Sequence, residues 1–263
     1  MKKFTFMLLF LETLVSTGSA QNYENYKVEI LGKGLWLIQA VTGMQQSTAY
    51  LVEGKNEALL IDACSGQDGL PHVVKDLVGE KPIILALTHG HGDHSGGIKF
   101  YPDVWIHPAD SASLRKYPTI KKHYINEGYV FDLGGQKLKV ISIPGHSPGS
   151  IAFYSKQGRY IMTGDGIGST SVWAHISTDP LTVFLASCKK LEALKDKVDA
   201  IYVGHHEQEV KKLIPQYITD MRMAAEGVLN GTIESRPWDF RGRKAMQADY
   251  GSAKLIYNPD KLR

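Results

Sequence analysis

The chain has 263 residues, 43% of them hydrophobic and 22% charged, enough to build a sizeable core. A formal charge of +3 gives no signature of nucleic-acid binding. Two cysteines in this length exclude a disulfide-dense scaffold.

Residues 1–20 read as an export signal. Lys2 and Lys3 precede an apolar run from Phe4 through Leu11, and Gly18-Ser19-Ala20 supply the small residues a signal peptidase takes. The run is too short for a membrane span, so the mature protein is expected outside the cytoplasm, periplasmic or secreted, with no membrane insertion. No low-complexity linker divides the rest, so residues 21–263 are expected to form a single domain. Its oligomeric state is not encoded in any recognisable pattern.

Turn residues separate the first apolar runs, Leu35 to Ala40, Ala49 to Val52 and Ala58 to Ile61, as strands of a sheet require. Leu70, Val73, Val74, Leu77 and Val78 then recur at helical spacing, with Pro71 in the first turn and Gly79 past the end. Strands and helical segments alternate from there: Ile83 to Leu87, Val104 to Ile106, helical material from Pro108, Lys137 to Ile143, Ile151 to Tyr154 and Tyr160 to Met162. A helix over about 180–195 with Asp179 as its N-cap, a strand Ala200 to Val203 and a helix over about 215–230 follow. Phe184, Cys188 and Leu191 share one stripe of the first of these helices, which places Cys188 in a core; Cys64 and Cys188 could pair only if the fold brought them together. The last thirty residues show no clear period.

Four strands end in a small residue or a tight turn and then present a metal-ligating side chain: His89 after Thr88, His146 after Pro144-Gly145, Asp165 after Thr163-Gly164, and His205 after Gly204. Carboxyl ends of strands are where loops converge on ligands in α/β sheets. The run His89-Gly90-His91-Gly92-Asp93-His94 packs three histidines and an aspartate into six residues, and its glycines permit a tight backbone. Imidazole and carboxylate are the ligands zinc takes at about 2.0–2.2 Å, and no thiolate is needed.

His89-x-His91-x-Asp93-His94, followed by Gly145-His146-Ser147-Pro148-Gly149, Thr163-Gly164-Asp165 and Gly204-His205, resembles the metallo-β-lactamase superfamily over nearly the whole mature chain. The resemblance implies an α/β fold, a four-layer αββα sandwich of two mixed sheets with helices outside. It implies that His89, His91 and His146 hold one metal and Asp93, His94 and His205 a second, with Asp165 bridging, and that Asp62 supports the metal loop. Two Zn(2+) are the expected cofactors, iron or manganese being accepted by the same ligands. Metal-bound hydroxide would then attack a small-molecule substrate, with Asp93 as the catalytic residue orienting it.

True β-lactamases resemble this chain at the histidines but place cysteine or serine where Asp165 stands. The aspartate is similar instead to the glyoxalase II-like thioesterases, lactonases and phosphodiesterases. Cleavage of an acyl bond (lactone, thioester or related ester) is therefore the leading expectation. A phosphodiesterase, a β-lactamase side activity and a mononuclear iron persulfide-dioxygenase-like enzyme are the alternatives.

Beside the site, His206 is a possible outer partner and His107 a structural residue at a strand-to-helix junction. His72 and His123 are expected on helices facing solvent. Trp173 and His175 are candidates to line the pocket, as are Arg241, Arg243 and Lys244 to grip an anion, and Tyr250 or Tyr257 to donate a proton.

Overall fold

The computed structural model describes residues 21–42, 46–168, 171–206, 212–240 and 242–263, apart from the side chains of Phe240 and Arg243. The expected leader over 1–20 and Arg241 lie outside the described residues.

The first sheet runs β1 (Gln21–Asn22), β2 (Tyr26–Gly32), β3 (Leu35–Ala40), β4 (Thr48–Glu53), β5 (Ala58–Ile61), β6 (Ile83–Ala86), β7 (Asp103–Ile106) and β8 (Lys121–Tyr124), in chain order across the sheet. Pairing is antiparallel up to β5 and parallel from β5 through β8. The second sheet contains β9 (Val130–Asp132), β10 (Lys137–Ser142), β11 (Ile151–Ser155), β12 (Tyr160–Gly164) and β14 (Ala200–Val203), with β12 and β14 parallel. Both sheets are thus mixed.

Period-two alternation divides each buried strand between two cores. On β5, Leu59 and Ile61 face the second sheet, where Val140, Phe153 and Met162 meet them. Ala58 and Leu60 face the other way, onto helix α1 (Leu70–Val78) through Leu70, Val73 and Val74. Ile161 and Ile201 turn from the second sheet to helices α3 (Leu181–Glu192) and α4 (Gln216–Asn230) through Phe184, Cys188, Ile218 and Met221. Each such large side chain, fully buried, contributes roughly 1.5–3 kcal/mol. The layers are helix, sheet, sheet, helix, as the resemblance implied.

Two points the sequence left open are filled in, and two expectations need correction. A third sheet, which the sequence did not disclose, joins β13 (Val172–Trp173) to β17 (Ala253–Tyr257), β16 (Arg243–Tyr250) and β15 (Ser235–Phe240) and packs on α4. Asp179 does not cap α3: Pro180 holds the N-cap position, and the carbonyls of Lys261 and Leu262 accept from the N–H groups of Leu181 and Thr182 instead. His123 lies on strand β8, bound to Asp103 at 2.9 Å and stacked on Trp105, not on a helix. Cys64 and Cys188 are free thiols buried in different cores, on opposite outer faces of the sandwich.

Candidate metal site

The run from His89 to His94 leaves the carboxyl end of β6, and His94 rides on the short helix α2 (Gly92–Ser95). Asp62 follows β5, His146 follows β10, Asp165 follows β12 and His205 follows β14. Backbone hydrogen bonds lace these ends together: Ile151 N to Thr88 O, Gly204 N to Gly164 O and Thr48 N to Gly204 O, all within 3.0 Å. Rigid strands thereby fix residues far apart in sequence at one edge.

Two groups result. The ligand atoms of His89, His91 and His146 lie within 4.8 Å of one another, and so do those of Asp93, His94, Asp165 and His205. Asp165 Oδ2 joins them, at 3.6 Å from His146 Nε2, 3.5 Å from His94 Nε2 and 3.2 Å from His205 Nε2. All seven residues singled out from the sequence are brought together.

Hydrogen bonds aim the imidazoles. Thr88 Oγ1 donates to Asp62 Oδ2 at 2.8 Å, so its oxygen accepts from His89 Nδ1 at 3.0 Å. His94 Nδ1 donates to Asp62 Oδ2 at 2.9 Å, His146 Nδ1 to the Trp173 carbonyl at 3.1 Å and His205 Nδ1 to the Gln46 carbonyl at 3.4 Å. Four Nε2 atoms therefore face inward, while His91 presents Nδ1, 2.9 Å from His146 Nε2. Ring nitrogens tethered in this way on their far side are the mark of metal-ready histidines.

Charge tells the same story. Burial pushes the pKa of His89 well down, with His94 and His146 adding to it, lowers His91, and takes His146 to about 4. These three are neutral and offer lone pairs. Burial also disfavours charge on His94 and His205, but Asp165 outweighs it with help from Asp62 at the former and Asp93 at the latter; His94 is held well above its ordinary value and His205 at about 9. Burial raises Asp93 and Asp165, and His205 with His94 overrides it, leaving Asp93 at about 2 and Asp165 well below the usual carboxylate range. The second group demands positive charge.

His89 Nε2 and Asp165 Oδ1 are buried with no hydrogen-bond partner among the described residues. Orphaned acceptors at the centre of a polar cluster are costly unless a ligand meets them. Both groups therefore fit divalent cations, as the donor types also require.

Gly145 and Gly164, just before His146 and Asp165, take positive φ of 141° and 52°, whereas Gly90 and Gly204 act through space. A Cβ on Gly204 would stand 2.1 Å from Asp165 Oδ1, and one on Gly90 2.1 Å from Ser113 Oγ, whereas Gly92 meets nothing nearer than 4.0 Å and is not sterically required.

The neighbours fall into place around this centre. His206 Nε2 contacts Tyr50 Oη at 2.6 Å and stays outside both groups. His107 Nδ1 caps the turn Pro108–Lys116 by accepting from Ala109 N, and His72 is exposed on α1. Trp173 and His175 pack with Trp238 of β15, at 5.4 and 5.0 Å between ring centroids. Tyr257 donates to Ser235 Oγ at 2.9 Å, Tyr250 is exposed, and Lys244 is exposed on β16; none belongs to the groups. Asp110, which buttresses the histidines, carries no signal in the sequence, because its partners lie on other loops, and Thr88 shows only as the strand end before His89, with its bonds to Asp62 hidden.

The family model of the metallo-beta-lactamase superfamily matches residues 42–205. The acyl-coenzyme A thioesterase MBLAC2 of Gallus gallus is 26% identical over 235 residues, 72% of this chain and 85% of its own. The atrochrysone carboxyl ACP thioesterase AacuM of Aspergillus aculeatus is 27% identical over 57% of this chain, which spans 48% of that protein. Among solved structures, a metallo-beta-lactamase from Pontibacter korlensis superposes with a TM-score of 0.65 at 15% identity, covering 76% of this chain and 99% of its own. A metallo-beta-lactamase family protein from Thermus thermophilus does so with 0.61 at 21%, covering 77% and 82%. With a family model over more than half its length and the ligand groups assembled at the strand ends, the chain belongs to the metallo-β-lactamase superfamily and is a hydrolase of it.

Proposed function

We propose that the chain holds two divalent cations, zinc foremost, and hydrolyses the acyl bond of a small molecule, with thioesters as the leading class. One observation carries this reading: Asp165 Oδ2 lies within 3.6 Å of His146 Nε2 and of the His94 and His205 Nε2 atoms, so one carboxylate is shared by both ligand groups. Cations bound there supply Lewis-acid polarisation of the scissile carbonyl and acidify water.

The chain's own residues do the rest. His89, His91 and His146 form one holding group and Asp93, His94 and His205 the other, with Asp165 between. Asp93, ionised at neutral pH and partly open to solvent, accepts a hydrogen bond from the attacking water and sets its direction. Tyr257 spends its hydroxyl proton on Ser235 Oγ at 2.9 Å. A thioester suits such a site, because a thiol of pKa about 8.5 leaves as thiolate with little need of an acid. The thioesterase relatives support the same choice.

The zinc-loaded protein should turn over acyl thioesters, then lactones, ahead of nitrocefin and bis(p-nitrophenyl) phosphate. Turnover of the phosphodiester alone would replace acyl hydrolysis with phosphodiester cleavage. One iron per chain with oxygen consumption would overturn hydrolysis altogether.

We further propose that residues 21–263 act as one exported domain, released into the periplasm or medium after cleavage behind Ala20. Sequencing the amino terminus of the secreted protein tests this, and an intact Met1 would sink it.

A further inference from the structure

The turn Pro108–Lys116 contributes no ligand, yet it places a buried carboxylate, Asp110, between the two loops that carry the three-histidine group. Oδ2 accepts from Gly90 N at 2.8 Å and from Ser147 Oγ at 2.7 Å, and Oδ1 accepts from Gly149 N at 2.7 Å. Gly90 sits between His89 and His91, and Ser147 directly follows His146. One side chain thus ties together the backbones that present all three histidines.

The approach is close enough to dictate sequence. A Cβ on Gly149 would stand 2.6 Å from Asp110 Cγ, and one on Gly90 2.9 Å from the Asp110 carbonyl. The turn itself is pinned by His107 accepting from Ala109 N and by Ser113 Oγ donating to the Asp110 carbonyl at 2.6 Å. Three donors from two loops, each within 2.8 Å, converge on this one side chain. None of the three bonds reaches Asp93, Asp165 or His205.

We infer that Asp110 is a positioning residue that holds His89, His91 and His146 as one preorganised ligand group, independently of the Asp93–His94–His205 group. This rests on the metal-binding reading of the site. Asparagine cannot replace it: whichever way the amide turns, its NH2 faces a backbone N–H, of Gly90 or of Gly149.

The test measures Zn(2+) affinity by chelator competition in two full-length backgrounds, His205→Ala, which keeps the three-histidine group, and His89→Ala, which keeps the other. Asp110→Asn should weaken binding about 10–100-fold in the first background, the usual cost of losing an outer partner, and leave the second within about twofold. Equal losses in both backgrounds, or no loss in the first, would overturn the inference. Should Asp110→Asn fail to fold, Ser147→Ala removes one of the three bonds, and a smaller loss confined to the first background is expected; no loss there counts against the inference. Wild-type protein that takes up no zinc would instead overturn the reading of the site itself, and the inference with it.

Discussion

Asp62 and His94 meet through a 2.9 Å hydrogen bond with both side chains all but sealed from water. The same carboxylate accepts from Thr88 N at 2.7 Å and Thr88 Oγ1 at 2.8 Å. Asp62 adopts φ 63°, a left-handed conformation that few residues besides glycine take but aspartate tolerates better than most, and three donors hold it there. Because Thr88 in turn fixes His89, the carboxylate reaches both ligand groups.

Asp62→Asn should therefore weaken cation binding at both groups, in contrast to a change at Asp110. A loss of about 10–100-fold at each is expected. The cation-free protein should lose about 1–3 kcal/mol, because an amide opposite these donors leaves a buried hydrogen bond unmade. Chelator competition and thermal unfolding measure the two effects. Full affinity at the His89 group would break the proposed link through Thr88.

Asp165→Ala removes the carboxylate shared between His146, His94 and His205. Thioester hydrolysis should fall by about 10²–10³-fold, the equivalent of several kcal/mol of charge stabilisation. The unbalanced positive charge on His94 and His205 should also lower their proton affinity. Steady-state kinetics at saturating zinc decide it, and activity within tenfold of wild type would show that the bridge is dispensable.

The ligands are legible because an apolar strand that stops at glycine or threonine before a histidine or aspartate is a local pattern, repeated at His89, His146, Asp165 and His205. Asp110 is not, because its partners lie twenty to thirty-nine positions away, on other loops. The third sheet stays hidden for two physical reasons. Pro237 argues against a strand, yet β15 is an edge, where a missing N–H costs little. On β16 the buried residues, Ala245 and Ala248, are small and stand three positions apart, on opposite faces, so no period-two pattern shows. His123 reads as helical because β8 is a short, charged edge strand, whose lysines discourage pairing with another chain rather than mark a helical face.

The carboxyl-terminal tail should matter to the site although it touches no ligand. The carbonyls of Lys261 and Leu262 satisfy the first N–H groups of α3, and Phe184 on that helix lies against Gly145, where a Cβ would meet it at 2.6 Å. Ending the chain at Asn258 removes both acceptors. A loss of about 1–2 kcal/mol is expected, seen as a drop of about 2–8 °C in Tm. Differential scanning calorimetry checks it, and an unchanged Tm would show that water replaces the tail without cost.

Cys64 supplies the pH dependence. Burial pushes its thiol up to about 12, with the lowering effect of His94 too small to offset it, and Sγ contacts the Ser47 carbonyl at 3.5 Å. Native protein at pH 8 should therefore resist iodoacetamide, while both cysteines react in denaturant; a missing thiol titre in denaturant would mean a disulfide. The linkage has a definite sign. The folded state keeps this proton to higher pH than the unfolded state, whose thiol ionises near 9, so the stabilisation is complete below about pH 9 and is lost as pH rises toward 12. The loss approaches roughly 1.4 kcal/mol per pH unit in that window. Cys64→Ala has no such proton to hold, so the stability gap between wild type and variant should shrink, or reverse, between pH 9 and 11. A gap that stays constant across that range would mean that the Cys64 thiol is not held in its protonated form by burial.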